Sequence, residues 1–230
     1  MSERTIRTVL YDFDGTLADT TELVMECYRL TMTEHLGEVP PVEEWLRGFG
    51  TPLEVQMNRF ARDPIQCEAM IASYRLHQED HAERFIRPFE GVLETLDRLR
   101  EMDLALAIVT SRHRESTLRA LDLCGITDHF PVIVSPEDVA SPKPHAEPVL
   151  HALERLGSAA QEAIFIGDSP HDIASGREAG TATAGALWGP FAREVLEAER
   201  PDHLLSHPTG VLRLVGDEAV GRRSVQASSS

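Results

Sequence analysis

Lysine is nearly absent from this chain. Of its 22 basic residues 21 are arginine, and Lys143 is the single lysine. A lysine retained against such a bias marks a place where a compact ammonium is needed in place of a planar fork. Basic residues of either kind are themselves outnumbered by 38 acidic ones, which leaves a formal net charge of −16. That balance argues against DNA or RNA as a partner, because phosphate backbones are bound by basic surfaces. It does not exclude a small anion in a cleft, where a few cations and one metal ion reverse the local sign. Cysteine is scarce too. Cys27, Cys67 and Cys124 are odd in number and share no motif spacing, so they read as reduced core thiols rather than a disulfide frame or a zinc site. Long apolar runs are missing. The longest, Leu104 to Val109, is far too short to span a bilayer, and the first residues carry no secretory pattern. A cytoplasmic protein without a membrane partner is expected. No internal repeat is visible.

What is present alternates. Thr8 to Tyr11, Leu104 to Thr110, Val132 to Val134 and Ala163 to Ile166 are short apolar runs followed by polar or glycine-containing loops, the pattern of buried strands. A fifth strand is expected around Thr183 to Trp188. Helical patterns lie between them: Glu90 to Met102, Ser116 to Cys124 ending at Gly125, and His145 to Leu156 ending at Gly157. This alternation predicts an α/β fold, a Rossmann-like, doubly wound parallel sheet. Residues from about Asp19 to Arg87 break the rhythm. They show no strand and several helical patterns (Thr20 to Leu36, Val42 to Phe49, Leu53 to Arg62, Ile65 to Phe85), punctuated by prolines. The expected organisation is a core of residues 1–17 and 88–215, an all-helical cap inserted at 18–87, and a disordered tail over 216–230.

Ligands of open α/β sheets bind outside the carboxyl ends of the strands, and the polar residues of interest fall there. Asp12 and Asp14 follow the first strand, Thr110 and Ser111 end the second, Lys143 lies beyond the third and Asp168 follows the fourth. Asp12 and Asp14 are two apart in an extended segment and point to one side. Carboxylates so close both stay ionised only with a cation between them. Asp168 would complete a hard, oxygen-rich site suited to Mg²⁺. Gly15 permits a sharp turn and offers backbone N–H groups to phosphoryl oxygens.

Plainer readings stand beside these. The DFDGT segment (Asp12 to Thr16) lacks the remaining ligands of a Ca²⁺ loop. Thr110 or Ser111 could cap the following helix, and Ser169 with Asp172 could form a capping box with Pro170 at the first helical position. Asp19 with Glu22 reads as an N-cap box. The ten histidines show no ligand spacing.

With these segments in hand, the chain resembles the haloacid dehalogenase superfamily of phosphohydrolases. Four signatures stand in order: DFDGT, the strand ending in Thr110, Lys143 within SPKPHAEP, and GDSPHDIASGREAG from Gly167. The helical insert looks like that family's C1 cap. Within the family, FGTPLEV, YRLHQEDH, PFEGV and WGPFAREVLEAERPDHLL are most similar to the phosphoglycolate phosphatase and bacterial pyrophosphatase branch. The resemblance implies that Asp12 attacks a phosphoryl group and Asp14 acts as acid, then base. It implies that Thr110, Ser111 and Lys143 hold the phosphoryl, and that Asp168 binds Mg²⁺ with the Asp12 carboxylate and the Asp14 carbonyl. Thr16 and Asp172 would support the site. The implied activity is hydrolysis of a small phosphorylated metabolite, a phosphomonoester or pyrophosphate, through an aspartyl-phosphate.

Rivals within the fold are a phosphomutase of the β-phosphoglucomutase type and a phosphatase dedicated to one biosynthetic intermediate. Mutases commonly recruit a cap lysine, and no lysine lies in 18–87. That absence also excludes a phosphonatase Schiff base, and Asp14 argues against a dehalogenase. For substrate contact in the cap the sequence suggests Arg47, Thr51, Arg75 and His77, polar residues near the FGTPL loop. Nothing in it distinguishes a monomer from a dimer.

Overall fold

The structure is a computed structural model that describes residues 5–216; the tail expected to be disordered lies almost wholly outside the described residues. The first strand, β1 (Thr8–Tyr11), sits in the middle of a six-stranded sheet. On one side it pairs with β4 (Ala105–Val109), which pairs with β5 (Val132–Val134). On the other it pairs with β6 (Ala163–Gly167), followed by β7 (Ala182–Ala186) and β8 (His203–Leu205). Every pairing in the sheet is parallel. Strand order therefore reverses between β1 and β6, at the switch point where doubly wound sheets bind ligands.

Period-two alternation explains the two cores. Val9 and Tyr11 face one side and pack with Leu106, Ile108, Ile164 and Ile166; Leu10 faces the other, with Ala107, Val109 and Phe165. Helices α5 (Val92–Glu101) and α6 (Arg114–Cys124) cover the first face through Leu96, Leu99 and Leu121. On the opposite face lie α7 (Glu147–Leu156), through Val149 and Leu153, and α8 (Pro170–Ala179) through Ala179. Gly125 and Gly157 end α6 and α7 in the left-handed conformation, as their positions predict. A short helix, α9 (Arg193–Ala198), precedes β8. No helix among the described residues is long and apolar enough to cross a membrane.

Between β1 and α5 the chain leaves the sheet. It departs through β2 (Ala18–Asp19) and returns through β3 (Arg87–Pro88), and these pair antiparallel as a two-residue ribbon, Ala18 with Pro88 and Asp19 with Arg87. Strands this short give no alternation to read, so the sequence showed none here. Between them lie α1 (Thr21–Leu36), α2 (Val42–Leu46), α3 (Leu53–Met57) and α4 (Pro64–Phe85). Trp45 is their packing centre: its ring stacks on Tyr28 at 4.8 Å and meets Tyr74 at 5.7 Å. Cys27, Cys67 and Cys124 are buried free thiols, as expected.

Other expectations need correction. β8 went unread, because His-Leu-Leu is too brief to carry a pattern. Asp19 does not cap α1: it lies in β2 and accepts a hydrogen bond from the Thr21 N–H at 3.2 Å, while Thr20 holds the cap position. α2 and α3 stop at Leu46 and Met57, short of the runs to Phe49 and Arg62.

Candidate active site

Asp12 leaves the end of β1 buried at 5 % exposure, with Oδ1 held by two donors: the Phe13 N–H at 2.7 Å and the Lys143 ammonium at 3.0 Å. Lys143 is itself buried. Its Nζ also donates to Asp172 Oδ1 at 2.6 Å and to the Val109 carbonyl at 3.3 Å. Burial alone would lower the ammonium, but Asp12 and Asp172 outweigh it and hold the lysine protonated, above its usual value. For Asp12 burial comes first and the charge of Asp172 second; against the opposing pull of Lys143 these push the carboxyl up to about 7.

Asp172 occupies both roles that its sequence left open. Its Oδ2 accepts from the Ser169 N–H at 3.0 Å and from Ser169 Oγ at 2.6 Å, closing a capping box on α8 with Pro170 in its first turn. Its Oδ1 holds Lys143. The helix cap is thus what aims the lysine's partner.

Asp168 follows β6, across the switch point. Thr16 Oγ1 donates to its Oδ1 at 2.9 Å, whereas its Oδ2 is buried without a partner. Burial first, then Asp172 and Asp12, raise its pKa well above the ordinary range. Gly15, in the left-handed region at φ 79°, passes so near that a Cβ there would lie 2.6 Å from Asp168 Oδ2. Gly189 crowds the same carboxylate from the loop after β7, where Trp188 Nε1 donates to the Thr16 carbonyl at 2.9 Å.

Asp12, Asp168 and Asp172 bring carboxylate oxygens within 4.8 Å of one another. Both Asp172 oxygens already carry strong hydrogen bonds, so Asp12 and the orphaned Oδ2 of Asp168 are the donors left for a cation. A buried, unpaired oxygen facing other carboxylates is costly. A hard divalent ion fits this donor set.

Asp14 lines the same cavity as Asp12 and pairs there with Arg112, Nη1 to Oδ1 at 2.9 Å; its carboxylate is not one of the three that draw together at the acidic cluster. Thr110 Oγ1 accepts from the Arg112 N–H at 3.1 Å, and Ser111 Oγ donates to the Gly50 carbonyl of the insert at 2.6 Å. Neither residue caps α6, whose cap position is His113. The Gly15 N–H is committed to the Ala18 carbonyl at 2.9 Å and is not free to receive an anion.

A cavity of about 350 Å³ joins these groups to the insert. Of the four cap residues singled out, Thr51 and Arg75 line it, while Arg47 and His77 do not. Thr51 spends its hydroxyl on the Gly48 carbonyl at 2.6 Å. Arg47 is exposed at the end of α2, and His77 pairs with Glu34 of α1 at 3.3 Å. The phase of α4 decides this. Tyr74 and Arg75 share the cavity side with Gln78, one turn further on, and His77 lies off it. Arg112 and Gln78 were missed; Arg112 was signalled by its place beside Thr110 and Ser111 at the same sheet edge.

The chain matches the haloacid dehalogenase-like hydrolase family over residues 9–186. It belongs to that family. Pyrophosphatase PpaX of Bacillus pumilus is 39% identical over 216 residues, covering 94% of this chain and 99% of that protein. Among solved structures, a haloacid dehalogenase-like family hydrolase from Streptococcus pneumoniae superposes with a TM-score of 0.77 at 26% identity, over 90% of this chain and 97% of that one. A candidate phosphoglycolate phosphatase from Lactobacillus plantarum shares the fold, with a TM-score of 0.82 at 24% identity over 91% and 99% of the two chains. This haloacid dehalogenase-like chain is therefore an enzyme, a hydrolase of the phosphatase kind acting on small phosphate compounds. The four signatures read from the sequence fall within or beside the matched region, and the resemblance drawn from them is borne out.

Proposed function

We propose that the protein is a cytoplasmic Mg²⁺-dependent phosphatase that transfers the phosphoryl group of a pyrophosphate or small phosphomonoester to Asp12 and then to water. One observation carries this reading. A buried carboxylate at the switch point shares its Oδ1 between the chain's single lysine and a backbone N–H, leaving Oδ2 without a donor among the described residues. The identity to pyrophosphatase PpaX supports the substrate class.

Asp12 and Asp168 would hold Mg²⁺, together with the Asp14 carbonyl; bound there, the ion offsets repulsion between the Asp12 carboxylate and the phosphate. Lys143 adds a second positive charge at the same place, and Thr110 and Ser111 lie where phosphoryl oxygens arrive. Attack by Asp12 forms the Asp12–phosphorus bond as the bond to the leaving oxygen breaks, and Asp14 gives that oxygen a proton. In the second half Asp14 takes a proton from water while the water oxygen displaces Asp12 from phosphorus, releasing phosphate and restoring Asp12 as a carboxylate and Asp14 as the acid. Thr16 keeps Asp168 oriented, and Asp172 keeps Lys143 oriented.

We assign residues 1–17 and 88–215 to the core and 18–87 to the cap, with the β2–β3 ribbon as the hinge through which the cap opens. The cap side of the cavity supplies specificity through Arg75. The acidic net charge supports a small-molecule rather than nucleic-acid partner.

The test is a panel of phosphate compounds assayed for phosphate release with and without Mg²⁺, alongside Asp12→Asn. Metal-dependent release that vanishes in the variant is expected. Interconversion of hexose phosphates without release would replace hydrolysis by a mutase.

A further inference from the structure

The loop after β7, residues 187–192, joins two parts of the molecule that are far apart in sequence. At one end it holds the acidic site. Trp188 Nε1 donates to the Thr16 carbonyl at 2.9 Å, and Thr16 Oγ1 in turn donates to Asp168 Oδ1 at 2.9 Å. Gly189, the next residue, presses on both Asp168 and the Gly15 carbonyl. At the other end the loop meets the insert: the Phe191 ring stands edge-on to Phe49 at 6.1 Å, with 67° between the ring planes. Phe49 is buried, and Gly50 beside it packs close to Ser169, the residue after Asp168; a Cβ on Gly50 would lie 2.9 Å from Ser169 Oγ. Only Gly189 and Pro190 separate Trp188 from Phe191. Proline fixes its own φ and restricts the residue before it, so this link is stiff.

We propose that Trp188 is a positioning residue for Mg²⁺, and that its loop lets the insert tighten the metal site when the insert rests on the core. This rests on the reading of Asp168 as a holder of the ion and of the insert as a cap that opens. Asp168 offers its free Oδ2 to a cation in the direction that the bond at Oδ1 sets. Thr16 makes that bond, and Trp188 fixes the Thr16 backbone. Groups that hold a ligand from behind decide how well it meets the metal. With the insert closed, Phe49 supports Phe191, and the stiff link carries that support to Trp188 and Gly189. With the insert swung away the aromatic contact is gone, and the loop rests on its own packing alone. The ion is then held more weakly, and by linkage a bound ion favours the closed insert by the same factor. Metal affinity comes to depend on a phenylalanine of the insert, a residue with no ligand atom to give.

The experiment measures Mg²⁺ affinity by calorimetry on the full chain, without substrate. Trp188→Phe keeps an aromatic ring and removes the N–H. It should bind Mg²⁺ about tenfold more weakly, the scale of a lost hydrogen bond behind a metal ligand, and turnover lost at low Mg²⁺ should return as Mg²⁺ is raised. Phe191→Ala and Phe49→Leu should each weaken Mg²⁺ by about 2- to 10-fold, the worth of one aromatic contact; leucine keeps the insert's core filled. The double variant should be no weaker than the weaker single one, because the same contact is lost only once. Wild-type affinity in Trp188→Phe overturns the positioning role. Wild-type affinity in either phenylalanine variant, or effects that multiply in the double variant, overturns the coupling to the insert. If the wild-type protein binds no Mg²⁺, the reading of Asp168 as a holder of the ion fails instead, and this proposal with it.

Discussion

The Lys143 ammonium stands 2.6 Å from Asp172 and 3.0 Å from Asp12, so one buried cation serves both the helix-capping carboxylate and the nucleophile candidate. The position of the Asp12 counter-charge is thereby fixed by a helix cap. Three buried carboxylates crowd this single ammonium, and the balance among them makes the site sensitive to any change in charge.

Lys143→Met should abolish turnover and destabilise the fold at pH 8, by about 3–5 kcal/mol if it behaves as other broken buried pairs do. The wild-type lysine's folded pKa is raised, so its stabilising effect is present below its unfolded value and is lost only as pH rises through the folded one. In the variant the carboxylates can instead take up protons on acidification. The deficit should therefore shrink between pH 8 and pH 5 in denaturant titrations. A deficit that does not change with pH would show that lost packing, not lost charge, is responsible.

Asp12 gives a second pH dependence. Its folded value, about 7, lies above the ordinary carboxylate range, mainly through burial. A raised acid contributes stability that is fully present below the unfolded value and lost as pH rises through 7. A divalent cation binds the ionised form, so Mg²⁺ should raise Tm more at pH 8 than at pH 6. Its apparent affinity should climb by up to about tenfold per pH unit for each proton displaced below 7. Asp12→Asn should fold, lose turnover and flatten this dependence, read by calorimetry with Mg²⁺ alone.

Arg75→Ala should raise KM by roughly tenfold or more, since the guanidinium lines the cavity. Arg47→Ala and His77→Ala, away from it, should stay within about twofold, the scale of ordinary surface changes. Steady-state kinetics on one accepted substrate separates the cases. A larger effect from His77 than from Arg75 would contradict the phase assigned to α4.

Gly189→Ala tests the acidic pocket without touching a charge. A Cβ there would lie 2.3 Å from Asp168 Cβ and 2.8 Å from the Gly15 carbonyl. Either Asp168 or the loop must move, so Mg²⁺ affinity should drop at least about tenfold while the sheet remains intact. Unchanged metal binding by calorimetry would remove Asp168 from the ligand set.

The gathering of Asp12, Thr110 and Asp168 at one sheet edge was readable in the sequence because apolar strand runs end abruptly in them, and parallel topology leaves such ends on one side. Lys143 was readable for a different reason, its isolation among arginines. The cavity wall was not. α4 packs against α1, α3 and the cavity at once, so its polar residues do not fall on one solvent stripe, and choosing Arg75 with Gln78 over His77 requires the helix phase in three dimensions. The turn of Asp14 toward Arg112 is a pairing across 98 positions, which no local pattern encodes. Asp172 shows the opposite limit, since a cap and a lysine anchor leave the same sequence trace.

The ribbon of β2 and β3 has a consequence for how this chain can vary. Its two residue pairs bring departure and return together beside β1, so whatever lies between them is grafted at a single spot. Helices can be lengthened, shortened or exchanged there without shifting the register of any strand in the main sheet. The graft point adjoins Asp14, so each replacement would present a new wall to the same reacting groups. Chemistry and selectivity can then diverge at independent rates.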